Sequence, residues 1–283
     1  MSEPWTDQTP AAGGTLDLLV AGAVGFELLP FARRLGIGEP LPPVASAELD
    51  GRRVAIACAG MGRSGDARVA EALRQLRPAA LINVGIAGAL DRVHPAGSTW
   101  IVGEWRHPHH PHERAALADP GLSRRLEDRL DAAGIGWGRA TAVTVDTPLH
   151  DAAERDRLCR GAGAHLVEME GSAWALLAAA AGVPFAAVRV VSDHADRPLP
   201  GPRPAVGRRA WLLRDDGTPR RRRLLLAWML SGAWLRPRHH YREIRAAGGD
   251  FAAAARGLDA VAEALFGSLG PLPAADAAQQ SKR

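Results

Sequence analysis

The chain has 283 residues, 47% of them hydrophobic and 23% charged, the make-up of a soluble globular protein of one large or two small domains. That excludes a wholly disordered chain, a collagen-like chain and a small disulfide scaffold, and two cysteines alone, Cys58 and Cys159, point to a reducing, cytoplasmic setting. The net charge of +4 hides an imbalance: 13 Arg against Asp215, Asp216 and Glu243 give residues 197–245 a charge of +10 and leave −6 for the rest, so nucleic-acid binding by the protein as a whole has no support.

Residues 1–14 lack a basic start and an apolar segment, and read as a loose tail rather than a secretory signal. Leu16 to Ala21 is a short apolar run of buried-strand type. Val44 to Leu49 and Arg52 to Ala59 flank Asp50-Gly51, a strong hairpin signal. After Gly60-Met61-Gly62, apolar residues at helical spacing mark a helix over Ser64 to Leu76. Ala79 to Ile86 reads as a second buried strand and Ser98 to Gly103 as a third. Leu122 to Ala133 is a predicted helix, Arg139 to Val145 a strand, and Asp151 to Cys159 a helix. Leu166 to Glu168 is a short strand, Ser172 to Ala181 an Ala- and Leu-rich helix, and Val183 to Val191 another buried strand. Alternation of this kind implies an α/β sheet covered on both faces. Beyond Pro198 a Pro- and Arg-rich stretch precedes helical segments near Arg220 to Leu235 and Asp250 to Phe266, and residues 271–283 read as a second tail. The expected organisation is one domain over 15–270 with an Arg-rich helical insertion at 198–245.

Three acidic residues stand at or just beyond strand ends, where α/β folds place ligands: Glu27, Glu170 and Asp193. Each has an ordinary explanation. Glu27 suits the first turn of a helix, Glu170 the start of the Ala-rich helix, and Asp193 a turn closing a strand. Together with the Gly-rich turns they form a more specific pattern.

With VEMEGSAWA at 167–175, PFAAVRVVSDHAD at 184–196, NVGIAGAL at 83–90 and the Gly60-Met61-Gly62-Arg63 turn, the chain resembles the purine nucleoside phosphorylase and nucleosidase superfamily. The similarity is strongest to methylthioadenosine/S-adenosylhomocysteine nucleosidases, futalosine hydrolases and the hopanoid-associated branch. The last is favoured by Arg197-Pro198-Leu199-Pro200, Asp216-Gly217 and the helical stretch that follows. The resemblance implies a three-layer αβα fold with a central mixed sheet and extra C-terminal helices. It implies an enzyme that cleaves the N-glycosidic bond of an adenine-type purine nucleoside, with no cofactor, acting as a homo-oligomer.

Such cleavage passes through an oxocarbenium-like transition state, with negative charge growing on the departing base. By resemblance, Asp193 protonates the purine at N7, its acidity suited by an apolar surround, and Ser192 orients it. Glu170 accepts hydrogen bonds from the ribose hydroxyls, Met169 packs on the sugar, and Glu27 activates water. Ile86, Ala87 and Gly88 are expected to form a loop that lets backbone approach the ligand. Arg63 and Ser64 are the candidate phosphate site, should phosphate be a co-substrate. The opening strand lacks the Gly-x-x-x-Arg pattern of the hexameric phosphorylases, and Glu27 would repel phosphate, so hydrolysis is the expected reaction.

The His-rich segment 107–112 is broken by two prolines and reads as a surface loop, not a metal site. Residues 220–238 place LLLAWMLSGAWL between arginines. Twelve residues make about 18 Å of helix, too short to span a bilayer, so the choices are packing on the body or contact with a membrane surface. The latter would suit a lipid-linked adenosine. Outside the enzyme reading stand a non-catalytic nucleoside-binding or membrane-associated module and a dinucleotide-binding oxidoreductase. The oxidoreductase lacks a Gly-x-Gly-x-x-Gly after the first strand.

Overall fold

The computed structural model describes residues 16–39, 41–108, 114–149, 151–196 and 237–267. Within them the chain forms β1 (Leu18–Gly22), α1 (Gly25–Arg34), β2 (Val44–Leu49), β3 (Arg52–Cys58), α2 (Arg63–Leu76), β4 (Leu81–Ala89) and β5 (Thr99–Arg106). There follow β6 (Arg114–Leu117), α3 (Pro120–Ala132), β7 (Trp137–Thr144), α4 (Ala152–Ala162), β8 (Leu166–Glu168), α5 (Gly171–Ala180), β9 (Phe185–Asp193) and α6 (Pro237–Phe266).

Asp50 and Gly51 both adopt positive φ, 51° and 73°, the twist that a two-residue hairpin between β2 and β3 requires. β1 lies between β3 and β4, parallel to both, and β4 is in turn parallel to β9. β4 also pairs antiparallel with β8 through Gly88 and Ala89, while β9 pairs antiparallel with β5. The sheet is therefore mixed, and β4, β8, β7, β5 and β9 close on one another as a ring. Helices cover both faces. On one, Leu28 and Phe31 of α1, Leu126 of α3 and Leu258 and Val261 of α6 meet the sheet; on the other, Val69 of α2 and Trp174 of α5 do so. Burying each such side chain contributes about 1.5–3 kcal/mol. This is the three-layer αβα arrangement.

Two elements escape the sequence pattern. α1 carries Pro30 inside it, a residue that ordinarily argues against helix, yet the buried Leu28 and Phe31 hold it to the sheet. β6 is four residues long, too short for alternation to show, and is fixed by pairing with β5. α6 starts well before the expected Asp250. Ala254, Leu258, Val261 and Leu265 give it a buried stripe, and its Asp259 and Glu263 bind Arg34 of α1 at 3.2 and 2.8 Å. The expected tails, the helix near Arg220 to Leu235 and most of the 198–245 insertion lie outside the described residues, as do His109, His110 and His112. Among the described residues no helix is long and apolar enough to cross a membrane.

Candidate active site

The carboxy-terminal end of β4 is the ridge on which the candidate residues meet. β1, β4 and β9 run side by side in the same direction, so the turns after them open on one side of the sheet. Glu27, in the first turn of α1, reaches back toward the sheet. Its Oε2 accepts from the backbone N–H of Ala23 and Val24 at 3.0 and 3.1 Å, and Oε1 accepts from Ile86 at 2.9 Å. A Cβ on Gly85 would lie 2.7 Å from Glu27 Oε1, so only glycine admits the carboxylate there. Asp193 ends β9 and lies on Gly88, where a Cβ would come within 3.2 Å of its Oδ2. Ser192 Oγ stands 2.6 Å from Asp193 Oδ1 and 3.2 Å from the Ala87 carbonyl.

Ile86, Ala87 and Gly88 are thus not a loop, as expected, but the last turns of a paired strand, in register with Val190, Val191 and Asp193. The missing side chains of Gly85 and Gly88 leave room for the two carboxylates. The sequence pattern misplaced the strand end because Gly85 and Gly88 read as breakers, whereas β8 and β9 continue the ladder past them.

Glu170 follows β8 and precedes α5. It makes no cap bond to that helix. Instead its Oε1 accepts from the N–H of Gly62 at 3.1 Å, at the opening of α2. Gly62 has φ 62° and ψ −149°, a backbone region that is essentially glycine's alone, and a Cβ on Gly65 would sit 2.3 Å from the Gly60 carbonyl. The Gly60 to Gly62 turn is therefore a tight strand-to-helix connection whose last amide holds Glu170. Arg63 and Ser64 are the first two residues of α2, and their side chains lie outside the described set. Met169 is half-buried beside the two glutamates.

Residues that the sequence reading passed over hold this arrangement in place. Glu168 Oε2 accepts from the backbone N–H of Glu170 and Gly171 at 3.0 and 2.6 Å and from Arg189 Nη2 at 2.9 Å, while Thr144 donates to Oε1. Arg189, inside β9, also donates to the Asn83 carbonyl at 3.3 Å and to its side-chain oxygen, and Asn83 donates to Ala21 at 3.1 Å. Arg155 of α4 is paired with Asp193 Oδ2. Asp193 is therefore not an isolated acid in an apolar mouth. One signal for Arg189 was present in the sequence, a lone cation in the buried run VRVV; Arg155 gave none.

Glu27, Glu168, Glu170 and Asp193 are all at most 9% exposed. Burial raises the Glu27 carboxyl above its ordinary range, outweighing the three N–H groups and the charge of Arg189. Glu170 is pushed up to about 8, first by burial and then by the charges of Glu168 and Glu27, with the Gly62 N–H and Arg189 opposing. Three carboxylates close enough to repel share one guanidinium among the described residues. Shifts of this kind gather where buried groups are used chemically.

Comparison with known proteins identifies the family and the fold. Residues 17–207 match the phosphorylase superfamily. The 5′-methylthioadenosine/S-adenosylhomocysteine nucleosidase of Mycobacterium bovis is 31% identical, over 53% of this chain and 73% of the relative. In fold, the chain is similar to the Helicobacter pylori enzyme of the same name (TM-score 0.64, 15% identity, 89% of this chain and 97% of that one). It is also similar to a futalosine hydrolase mutant of H. pylori (TM-score 0.56, 17% identity, 64% and 89%). The chain belongs to the phosphorylase superfamily and is an enzyme that cleaves nucleosides.

Proposed function

We propose that this superfamily member hydrolyses the N-glycosidic bond of an adenine-type purine nucleoside, with a 5′-modified or lipid-linked adenosine as the substrate class. Asp193 delivers a proton to N7 of the base, which lets the leaving group depart neutral. Glu170 takes the ribose hydroxyls and Met169 covers the sugar. As the C–N bond breaks, positive charge grows on the ribose, and the carboxyl oxygens of Glu27, Glu168 and Glu170 gathered there stabilise it. Glu27, fixed by three amides, receives the proton of the attacking water. Ser192 orients Asp193, and the reading needs no cofactor.

The observation that carries hydrolysis over phosphorolysis is the bond from Gly62 to Glu170. The start of α2 is where an anion would be received, and it already faces a carboxylate. A phosphate there would compete with Glu170 for the Gly62 N–H and would be repelled by Glu170 and Glu27 in their ionised forms. The rival reading, phosphorolysis with Arg63 and Ser64 as the phosphate site, makes the opposite prediction. Base release from adenosine, methylthioadenosine, adenosylhomocysteine and a lipid-linked adenosine, measured with and without inorganic phosphate, separates them. Hydrolysis predicts equal rates and release of the free sugar, with any 5′ substituent still attached. Strict dependence on phosphate with formation of a ribose 1-phosphate would sink it. The pocket is further proposed to be completed in a homo-oligomer, and the Arg-rich 220–238 stretch to touch membrane surfaces; sedimentation and liposome flotation test these two.

A further inference from the structure

Arg155 is 1% exposed, and every one of its N–H groups is taken by the protein. Nε and Nη2 donate to the Leu149 carbonyl at 3.3 and 3.0 Å, and Nη1 to the carbonyls of His194 and Ala89 at 2.8 and 3.5 Å. Nη2 also donates to Asp193 Oδ2. Three main-chain segments, the link before α4, the end of β4 and the residue after β9, therefore fix one guanidinium beside one carboxylate oxygen. The side chain has no donor left for a substrate.

The other oxygen of Asp193 has a different partner. Oδ1 faces Ser192 Oγ at 2.6 Å, and Ser192 Oγ also reaches the Ala87 carbonyl at 3.2 Å. A hydroxyl has one proton to give. Ser192 Oγ donates to Oδ1 or to the Ala87 carbonyl, and when it donates to Ala87, Oδ1 is left without that donor and can carry a proton toward the base. Oδ2, against a cation, is a poor place for a proton.

We propose that Arg155 is a positioning residue that reserves Oδ2 for the cation and so makes Oδ1, seated on Ser192, the oxygen that transfers the proton to the base. The inference rests on the hydrolytic reading of Asp193. In the step, the Oδ1–H bond breaks and an N–H bond forms on the purine. The C–N electron pair goes to the base, and Asp193 is left as a carboxylate paired with Arg155. Water supplies the hydroxyl to the ribose carbon, its proton passing to Glu27 and returning through solvent. Arg155 thus stabilises the charge that appears on the acid once its proton has gone.

The test compares two leaving groups in the full-length chain. Methylthioadenosine needs protonation to depart; the 4-nitrophenyl riboside does not. Arg155→Met is expected to lose about 100-fold or more in kcat on methylthioadenosine but less than about 3-fold on the nitrophenyl riboside, the range general acids supply. Because that variant strips the partner from a buried carboxylate, Arg155→Lys is run beside it. Lysine keeps the charge without the fork and should keep the nitrophenyl rate while losing roughly 10-fold on methylthioadenosine. In an Asp193→Asn background neither change should cost anything further on methylthioadenosine. Equal losses on both substrates would show a merely structural residue and overturn the assignment alone. A wild-type enzyme that cleaves the nitrophenyl riboside but no purine nucleoside overturns the reading of Asp193 and the assignment with it.

Discussion

The two ends of the candidate site handle buried charge in opposite ways. At the base end, one carboxylate, Asp193, has a guanidinium of its own in Arg155, and the pair is held by main-chain carbonyls. At the sugar end, Glu27, Glu168 and Glu170 share Arg189. The first arrangement is balanced. The second gathers three carboxyl groups around Arg189, so burial keeps protons on it, and amide donors and the ridge of β4 hold it in place. A balanced pair fixes geometry and a carboxyl-rich cluster offers acceptors, and the proposed reaction, which develops a cation on the sugar beside a base that leaves neutral, has use for both.

Breaking the sugar end at Arg189, the guanidinium its carboxyls share among the described residues, should have the largest effect. Arg189→Met leaves Glu168 buried against two amides and removes the bonds to Asn83. Loss of one partner of a buried pair costs about 3–5 kcal/mol, so denaturant unfolding should show that drop. An unchanged midpoint would mean the three carboxylates do not depend on Arg189.

The next contrast is in pH. Glu170 in the folded protein sits at about 8, above its ordinary value of 4.5, so the folded state holds a proton that the unfolded chain has released between those values. Its contribution to stability is complete below about 4.5 and is lost as pH rises through 8. Burial of Glu27 acts in the same direction. Thermal melts from pH 5 to 9 should therefore fall for the parent by about 4 kcal/mol equivalent and much less for Glu170→Gln. Parallel curves would mean that Glu170 does not hold that proton.

The smallest expected effect sharpens the comparison sterically. Gly85→Ala puts a methyl 2.7 Å from Glu27 Oε1, whose carboxylate is tied by three amides and has little room to yield. Overpacking of this kind costs about 1–2 kcal/mol. It should lower turnover through Glu27, measured on methylthioadenosine, while leaving the Asp193 end untouched.

Much of this was legible in the sequence. Apolar runs gave β1, β4 and β9, and Asp50-Gly51 gave the β2–β3 hairpin, because these signals are local. The motifs gave Glu27, Glu170 and Asp193, each next to the strand that presents it. Glu168, Arg189 and Arg155 were missed for a common reason: their partners come from elsewhere in the chain. Arg155 lies 38 positions from Asp193, and Arg189 106 from Asn83. No periodicity joins such residues. The strand end at Ile86 to Gly88 was misread because glycines that accommodate neighbouring side chains look, in one dimension, like glycines that end a strand.

β4 is bonded to β1, β8 and β9 at once, and each proposed acid is set by a residue on it or by a strand paired to it. Slipping that one strand by a single residue would turn Gly85 and Gly88 away and carry bulkier neighbours into their places. The machinery would then fail all together, never by degrees. Mutational drift in this protein therefore has freedom only around the rim, and new substrate preferences would have to arise there while the spine stays frozen.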